Sequence, residues 1–359
     1  MTRPRLLIIS SAKNFGGGEA YLRKIVDELR SDYVVTILGP RFIKNFIGDR
    51  VETLWLPLFP TFFDRLLRRT HRLKRLYYRL LIGCFYNFDR YDAINIQWFD
   101  GALIEAIRKR PLMLTLHVDF IISRDYDTYV ARVLNSLDKI ICVSGEAKKQ
   151  LVKRGVNSTK CIVIHNGVDP ASFKYNGQPG QYVTWIGRVE KAQKNPDLFL
   201  QIAQLAYKQG SPLRFRMVGD GNRLGEINKK RSPNLALLGS QKPQAMAKIY
   251  RQASVLCMTS FYEGLPFVAL EAMACGVPVI STAVSGPNEL LTDGTGILIT
   301  QFDAKKFLTE ISSLARDTSR YEHMREKARK RIEKDFSINN TVQQTLAVYH
   351  DLVQQKDLP

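Results

Sequence analysis

The amino-acid sequence predicts an α/β protein built from two doubly wound, parallel-sheet domains that face each other across a cleft, with a final helix. Three observations predict it. The chain has 359 residues, more than one hydrophobic core ordinarily organises. Short apolar runs alternate with amphipathic helical stretches, the pattern of a parallel sheet covered by helices on both faces. The alternation breaks once, at "NGVDPASFKYNGQPGQ" (166–181), which is rich in Gly, Pro and Asn and has no periodicity, and then restarts. The expected organisation is a first domain over 1–168, a linker over 169–180, a second domain over 181–336 and a closing helix over 337–359.

The elements follow in order. "RLLIIS" reads as a buried strand, and "SAKNFGGGEAYLRKIVDELR" as a glycine loop running into an amphipathic helix. "YVVTILG", "YDAINIQ", "LMLTLH", "KIICVS" and "CIVIHNGV" are further strands, with helical patterns such as "GALIEAIRKR" and "YVARVLNSL" between most of them. After the linker come the strand "YVTWIGR", the helix "NPDLFLQIAQLAYKQG", the strands "LRFRMVGDG" and "LALLGS", the helix "PQAMAKIYRQA", and the strand "SVLCMTS". "GILIT" is the last strand, and "SINNTVQQTLAVYHDLVQQ" a helix capped by Ser337. Ligands of such sheets bind beyond the carboxyl ends of the strands.

Composition narrows the class. At 45% hydrophobic and 24% charged residues the chain is an ordinary soluble globular protein. Its five cysteines are odd in number and lack metal-ligand spacing, so they read as buried thiols of a reducing, cytoplasmic compartment. Arg3 and Arg5 precede only "LLII", too short for a secretory signal, and no apolar run is long enough for a spanning helix. The net charge of +19 calls for an anionic partner: a membrane surface, a nucleic acid or a phosphorylated substrate.

The most informative stretch is "FYEGLPFVALEAMACGVPVIST" (261–282). Pro266 suits the first turn of a short helix over 266–275, Gly276 a left-handed stop, and 277–282 a buried strand. Glu263 then precedes the helix and Glu271 lies inside it, in a run otherwise apolar or small, where a carboxylate needs a hydrogen-bond donor. The N–H groups of Gly264 and Leu265 stand at the positive helix end and favour an anion. A phosphorylated sugar fits these features, as do two ordinary ion pairs. Elsewhere, Gly16, Gly17 and Gly18 form a loop or a tight turn after the first strand. His117 ends a strand, as a hydrogen-bonding or structural histidine. Arg188 and Lys194 flank a helix start, where they suit a pyrophosphate or form a solvated basic loop with Lys191. Asp220 meets a ligand or shapes its turn.

Together, in this order, "GGGEAYL", "LTLHVDF", "VSGEAKKQL", "VIHNGVD", "WIGRVEKAQKN", "VGDGN" and above all "EGLPFVALEAMACGVPVIST" resemble the retaining glycosyltransferases of family 4, which have two Rossmann-like domains (GT-B). The resemblance spans nearly the whole chain. It implies transfer of a sugar from a nucleotide-diphosphate donor, most often a UDP-sugar, to an acceptor hydroxyl with retention of anomeric configuration. It implies no metal and no cofactor beyond the nucleotide sugar, and a final helix that crosses back to the first domain. Arg188 and Lys194 match the diphosphate-binding pair, Glu271 the ribose-binding glutamate, and Glu263 the glutamate near the donor sugar. Gly264 and Leu265 would hold phosphate or sugar through their N–H groups, with Asp220 a further donor-site candidate. Gly16 to Gly18 would approach diphosphate and acceptor, and His117 would orient the sugar. Front-face attack on the donor makes catalysis mostly positioning and charge stabilisation. Two departures stand out: the Arg188–Lys194 spacing is one residue longer than the common pattern, so Lys191 competes for the role, and "VSGPNELL" has one glycine where many relatives have two, weakening Glu289 as a site residue.

The segment 65–79 carries seven Lys or Arg and no acid, among them Arg65, Arg68, Arg69, Arg72, Lys74 and Arg75. Phe59, Phe62, Phe63, Leu66, Leu73, Tyr77 and Leu80 fall largely on one helical face. A basic amphipathic helix suits anionic lipid or a phosphorylated acceptor, while a core helix with a solvated back is the plainer reading. The expectation is a peripheral protein of the cytoplasmic membrane face, acting on a lipid-linked or lipopolysaccharide-type saccharide. The rivals are a catalytically silent nucleotide-sugar or glycan binder and a basic nucleic-acid-binding protein. For the latter, "RLYYRL" is only a faint hint with no module around it.

Overall fold

The structure is a computed structural model. It describes residues 3–10, 17–40, 42–48, 51–55, 71–107, 111–117, 127–175 and 177–355. The chain divides into two compact units: 1–164 with 342–359, and 165–341.

In the first unit, strands β1 (Arg5–Ile9), β2 (Val34–Gly39), β3 (Glu52–Trp55), β4 (Ala93–Ile96), β5 (Leu112–Leu116), β6 (Lys139–Cys142) and β7 (Cys161–Val163) form one sheet in the order β3-β2-β1-β4-β5-β6-β7. Every pairing is parallel. Leu6, Leu7, Ile8 and Ile9 are all buried, so successive residues of β1 are covered on both faces of the sheet. Side-chain caps start the intervening helices: Asp100 accepts from the N–H groups of Ala102 and Leu103, and Ser144 from that of Ala147.

In the second unit, β8 (Tyr182–Ile186), β9 (Arg214–Val218), β10 (Leu235–Leu237), β11 (Ala253–Met258), β12 (Val279–Thr282) and β13 (Ile297–Ile299) pair in parallel in the order β10-β9-β8-β11-β12-β13. Both sheets share one plan: the chain winds one way from a central strand and then the other. The switch points lie between β1 and β4 and between β8 and β11, where such folds open a crevice for ligands.

The closing helix, Ile338–Gln355, contributes its first residues to the second unit and the rest to the first. There the buried Tyr349 hydroxyl accepts from Asn95 of β4 at 2.6 Å, His350 pairs with the Tyr33 hydroxyl at 2.8 Å, and Asp351 with Lys139 at 3.2 Å. The unit boundary falls after 164, earlier than the 168 expected from the sequence. The reason is hydrogen bonding: Val168 exchanges backbone bonds with Phe336 and Ile338, and Thr341 donates to the His165 carbonyl. Nor is the expected linker a bare tether. The Arg329 guanidinium donates to the carbonyls of Pro170, Phe173 and Ala274, fixing 170–173 to the second unit.

Candidate active site

At the switch point of the second unit, the loops after β8 and β11 are fastened together. Trp185 of β8 donates to the Thr259 hydroxyl at 3.0 Å, and that hydroxyl donates to the carbonyls of Lys194 and Asn195 at 3.0 and 2.8 Å. The Phe261 N–H donates to the Gln193 carbonyl. Asn195 is in the left-handed region, at φ 48°, immediately before the Pro196–Lys208 helix. A non-glycine residue holds that conformation only where its surroundings over-determine it. Here they determine where Lys194 stands.

Lys194 meets Glu263. Its Nζ lies 2.7 Å from Oε1 of a carboxylate that is almost wholly buried. Ser260 donates to the same oxygen at 2.5 Å, and Gln193 approaches the other at 3.5 Å. Arg188 is mostly exposed, with partners Gln193 at 3.0 Å and Glu190 at 3.2 Å. Lys191 is exposed, whereas the Lys194 side chain is largely covered and rests on Glu263.

The Phe267–Ala274 helix begins one residue later than the sequence suggests, with Pro266 as its N-cap. Its end follows expectation: Gly276 is left-handed at φ 69°, and the N–H groups of Gly276 and Val277 return to Met273 and Ala272, a Schellman closure. The turn before the helix is gripped from two sides. Asn166, buried, donates to the Leu265 carbonyl at 2.7 Å. A Cβ on Gly286 would lie 1.4 Å from the Gly264 carbonyl oxygen, so the lone glycine of "VSGPNELL" is what lets that segment approach. Glu289 pairs with His165 at 2.5 Å.

Glu271 finds its donor within the protein. The buried Tyr250 hydroxyl donates to Oε2 at 2.6 Å. Burial raises the Glu271 pKa to about 7, against the opposing pull of the Tyr250 bond. The Tyr250 phenol is itself pushed well up by burial and by the facing carboxylate. Asp220, exposed after β9, accepts from the N–H of Gly221 and so shapes its own turn.

In the first unit, His117 follows β5, is nearly buried, and pairs through Nε2 with Gln97 Oε1 at 2.8 Å beside the Trp98 ring. Gln97 follows β4, so the pair sits at that unit's switch-point side. Gly17 and Gly18 belong to the first turn of the Gly17–Leu29 helix rather than to a loop; Gly16 lies outside the described residues. So do Arg65, Arg68 and Arg69, with Phe59, Phe62, Phe63 and Leu66. Arg72 and Lys74 fall in the His71–Phe85 helix, and Arg75 pairs with Glu105 at 3.3 Å. Tyr77, Tyr78, Leu81 and Ile82 face the core, whereas Leu76 and Leu80 are 51% and 59% exposed. The expected single face of Tyr77 and Leu80 is therefore split: Tyr77 packs on the core and Leu80 faces outward.

Sequence reasoning missed Thr259, Ser260, Gln193, Asn166, Tyr250 and Gln97. Polar residues ending an apolar strand, as in "SVLCMTS", were the available signal for the first two. Among the described residues, no group of three or more His, Cys, Asp or Glu is placed to hold a metal ion, and no helix is long and apolar enough to cross a membrane.

Known structures share this architecture. An Anabaena protein, HepE, solved with UDP and glucose superposes with a TM-score of 0.78 at 18% identity, covering 98% of this chain and all of that one. Sucrose-phosphate synthase from Thermosynechococcus elongatus gives the same score, identity and coverage. The fold is that of the GT-B glycosyltransferases. Residues 15–172 match the family described as Glycosyltransferase Family 4, and 180–317 that described as Glycosyl transferases group 1. A Methanocaldococcus jannaschii protein named as an uncharacterised glycosyltransferase is 30% identical over 70% of this chain and 72% of its own. A D-inositol 3-phosphate glycosyltransferase of Kribbella flavida is 29% identical over 72% of this chain and 71% of its own. An N-acetylgalactosaminyltransferase of Campylobacter jejuni, named for an undecaprenol-diphosphate-linked saccharide, is 25% identical over 95% of this chain and 97% of its own. The chain belongs to the family 4 (group 1) glycosyltransferases.

Proposed function

We propose that this glycosyltransferase takes its sugar from a UDP-sugar, retains anomeric configuration, and needs neither a metal nor a further cofactor. Its acceptor is a hydroxyl of a lipid-linked saccharide in cell-surface polysaccharide or lipopolysaccharide synthesis, reached from the cytoplasmic membrane face. The observation that carries the reading is the cluster at the second switch point: Lys194 locked on Glu263, with Arg188 on the same loop and the Gly264–Leu265 turn held by Asn166. Such a cluster can receive a diphosphate and stabilise the charge that develops on it as the sugar leaves. Glu271 accepts from the ribose hydroxyls, and His117, fixed by Gln97, orients the sugar.

The UDP-bound Anabaena structure supports the donor assignment, and the Campylobacter relative supports the lipid-linked acceptor. The exposed pair Leu76 and Leu80, in a helix carrying Arg72, Lys74, Arg75 and Arg79, supports contact with anionic lipid.

The test is a thermal-shift panel of UDP, GDP, ADP and CMP with chelator present, on wild type and Glu271→Ala. At a hundredfold excess over Kd, the cognate nucleotide stabilises the fold by about 2.7 kcal/mol. UDP is expected to stabilise the wild type and to do so much less in the variant. Stabilisation only after a divalent metal is added would overturn the metal-independent reading. No response to any nucleotide would overturn the donor assignment.

A further inference from the structure

Glu263 and Glu271 stand eight positions apart and receive different partners. Glu263 is held by a cation; among the described residues Glu271 makes no ion pair and is held by a phenol. Tyr250 reaches it from the end of the neighbouring Pro243–Arg251 helix. The tyrosine ring is wholly buried, met edge-on by Phe173 at 5.9 Å, so its hydroxyl has little freedom to swing away. The bond engages Oε2, while Glu271 keeps part of its surface open.

We propose that Tyr250 is a positioning residue of the donor site: its hydroxyl fixes one oxygen of Glu271 and favours the carboxylate form, whose other oxygen accepts from the ribose hydroxyls. The proposal rests on the reading of Glu271 as the ribose contact. An ionised carboxylate offers only acceptors, which is what a diol requires, whereas a protonated one carries a competing donor.

The surroundings give Tyr250 a task. Ala269, Leu270, Ala272 and Met273 of the same helix are buried apolar residues, and desolvation there moves Glu271 up to about 7. The Tyr250 bond acts in the opposite direction. The other ionisable groups around this helix do not neutralise the carboxylate. Cys275, one turn on, has its thiol pushed up to about 12 by burial and is uncharged. Arg329 binds the carbonyls of Pro170, Phe173 and Ala274 and the Glu333 carboxylate; Arg325 binds the Gly276 carbonyl and Glu322; Arg251 ends the helix bearing Tyr250.

The sign follows. A carboxyl raised to about 7 is largely protonated below that pH, and the diol prefers the ionised form, so donor affinity rises as pH increases through about 7. The same shift makes the free fold lose stability over the interval from the ordinary carboxylate range up to about 7, an effect that bound donor offsets.

The experiment measures the Kd of UDP-glucose from about pH 6 to about pH 8.5 on wild type, Tyr250→Phe and Glu271→Gln, and follows the Glu271 carboxyl carbon by NMR in the free proteins. UDP-glucose suits the purpose because its diphosphate is esterified at both ends and does not titrate near neutrality. For wild type, Kd is expected to weaken roughly tenfold from the upper to the lower pH. For Tyr250→Phe the carboxyl midpoint moves up by about one unit, so binding is weaker by roughly fivefold at pH 7 and recovers at higher pH. Glu271→Gln flattens the profile. An equal loss at every pH in Tyr250→Phe would mean that the tyrosine only supports the fold, and would overturn the proposal. An unmoved carboxyl midpoint in that variant would overturn the Tyr250–Glu271 coupling. A carboxyl midpoint that moves while the wild-type Kd stays flat would overturn the proposal through its premise, by removing the ribose role from Glu271.

Discussion

Replacing Lys194 by Met removes a charge and leaves the stem. The amine lies 2.7 Å from a Glu263 carboxylate whose side chain is only 5% exposed, and the lysine side chain is itself 16% exposed. Breaking a buried pair by removing one partner leaves the other charge uncompensated and costs about 3–5 kcal/mol. Ser260 still donates to Glu263 after the change, so the lower end, about 3 kcal/mol, is the expected value. For a unit of this size that corresponds to a fall in Tm of roughly 6–12 °C. The assay is calorimetric unfolding of wild type, Lys194→Met, Glu263→Gln and the double variant. Glu263→Gln alone strands a lysine that reaches solvent more readily, so its loss is expected to be smaller. The double variant should recover part of the single loss, with a coupling energy of about 1–3 kcal/mol. A Lys194→Met loss below about 1 kcal/mol, or an additive double variant, would show that the pair behaves as an exposed one, and the argument from burial would fail.

Two further outcomes are expected. Asn166→Ala leaves the Leu265 carbonyl without its 2.7 Å donor in a buried turn; about 1–3 kcal/mol of stability should be lost in urea, and the donor KM should rise because the Gly264–Leu265 turn is released. Unchanged stability together with an unchanged KM would rule out that hold. Leu76→Glu with Leu80→Glu should cut sedimentation with vesicles rich in anionic lipid while leaving Tm within roughly 2–4 °C, since two surface changes of at most about 0.5 kcal/mol each correspond to no more than that. Undiminished sedimentation would end the case for this helix as a lipid contact.

Much of the fold was legible because a doubly wound sheet writes itself locally. Strands buried on both faces are runs such as "LLII" and "SVLCM", and the helices between them carry their own stops, as Gly276 does. What escaped were the helices Ala304–Arg316 and Thr318–Asp335 and, among the strands, β3, four residues of "ETLW" on the edge of the first sheet. That strand is half-exposed, begins with a glutamate, and has neither the length nor the apolar content that marks an inner strand. The candidate site was legible where a residue's chemistry conflicts with its neighbourhood: Glu271 is a carboxylate in a run otherwise apolar or small, and such a group needs a partner. The partners were not legible. Tyr250 lies 21 positions from Glu271, and Asn166 lies 99 from Leu265. Nothing in the local pattern of either sets it apart from a core tyrosine or a turn asparagine.

The pairings also divide the labour within the cluster. Lys194 and Glu263 together carry no net charge, so on the proposed reading the lysine cannot by itself supply an excess positive charge to a dianionic diphosphate. What Glu263 supplies is position: with Ser260 and the Thr259 clamp it holds the ammonium group in one place before any ligand arrives. Such preorganisation removes reorganisation from the moment of reaction. Arg188 is the more exposed and more loosely held of the two cations. Its bond to Glu190 at 3.2 Å is made with a side chain that is 62% exposed, and a pair of that kind contributes little and is readily exchanged. On the proposed reading, Arg188 swings from Glu190 on to the diphosphate and brings the fork geometry that suits phosphate oxygens, while the Gly264 and Leu265 N–H groups add fixed partial charge from the helix end. Arg188→Lys keeps the charge and loses the fork, so it separates the two contributions.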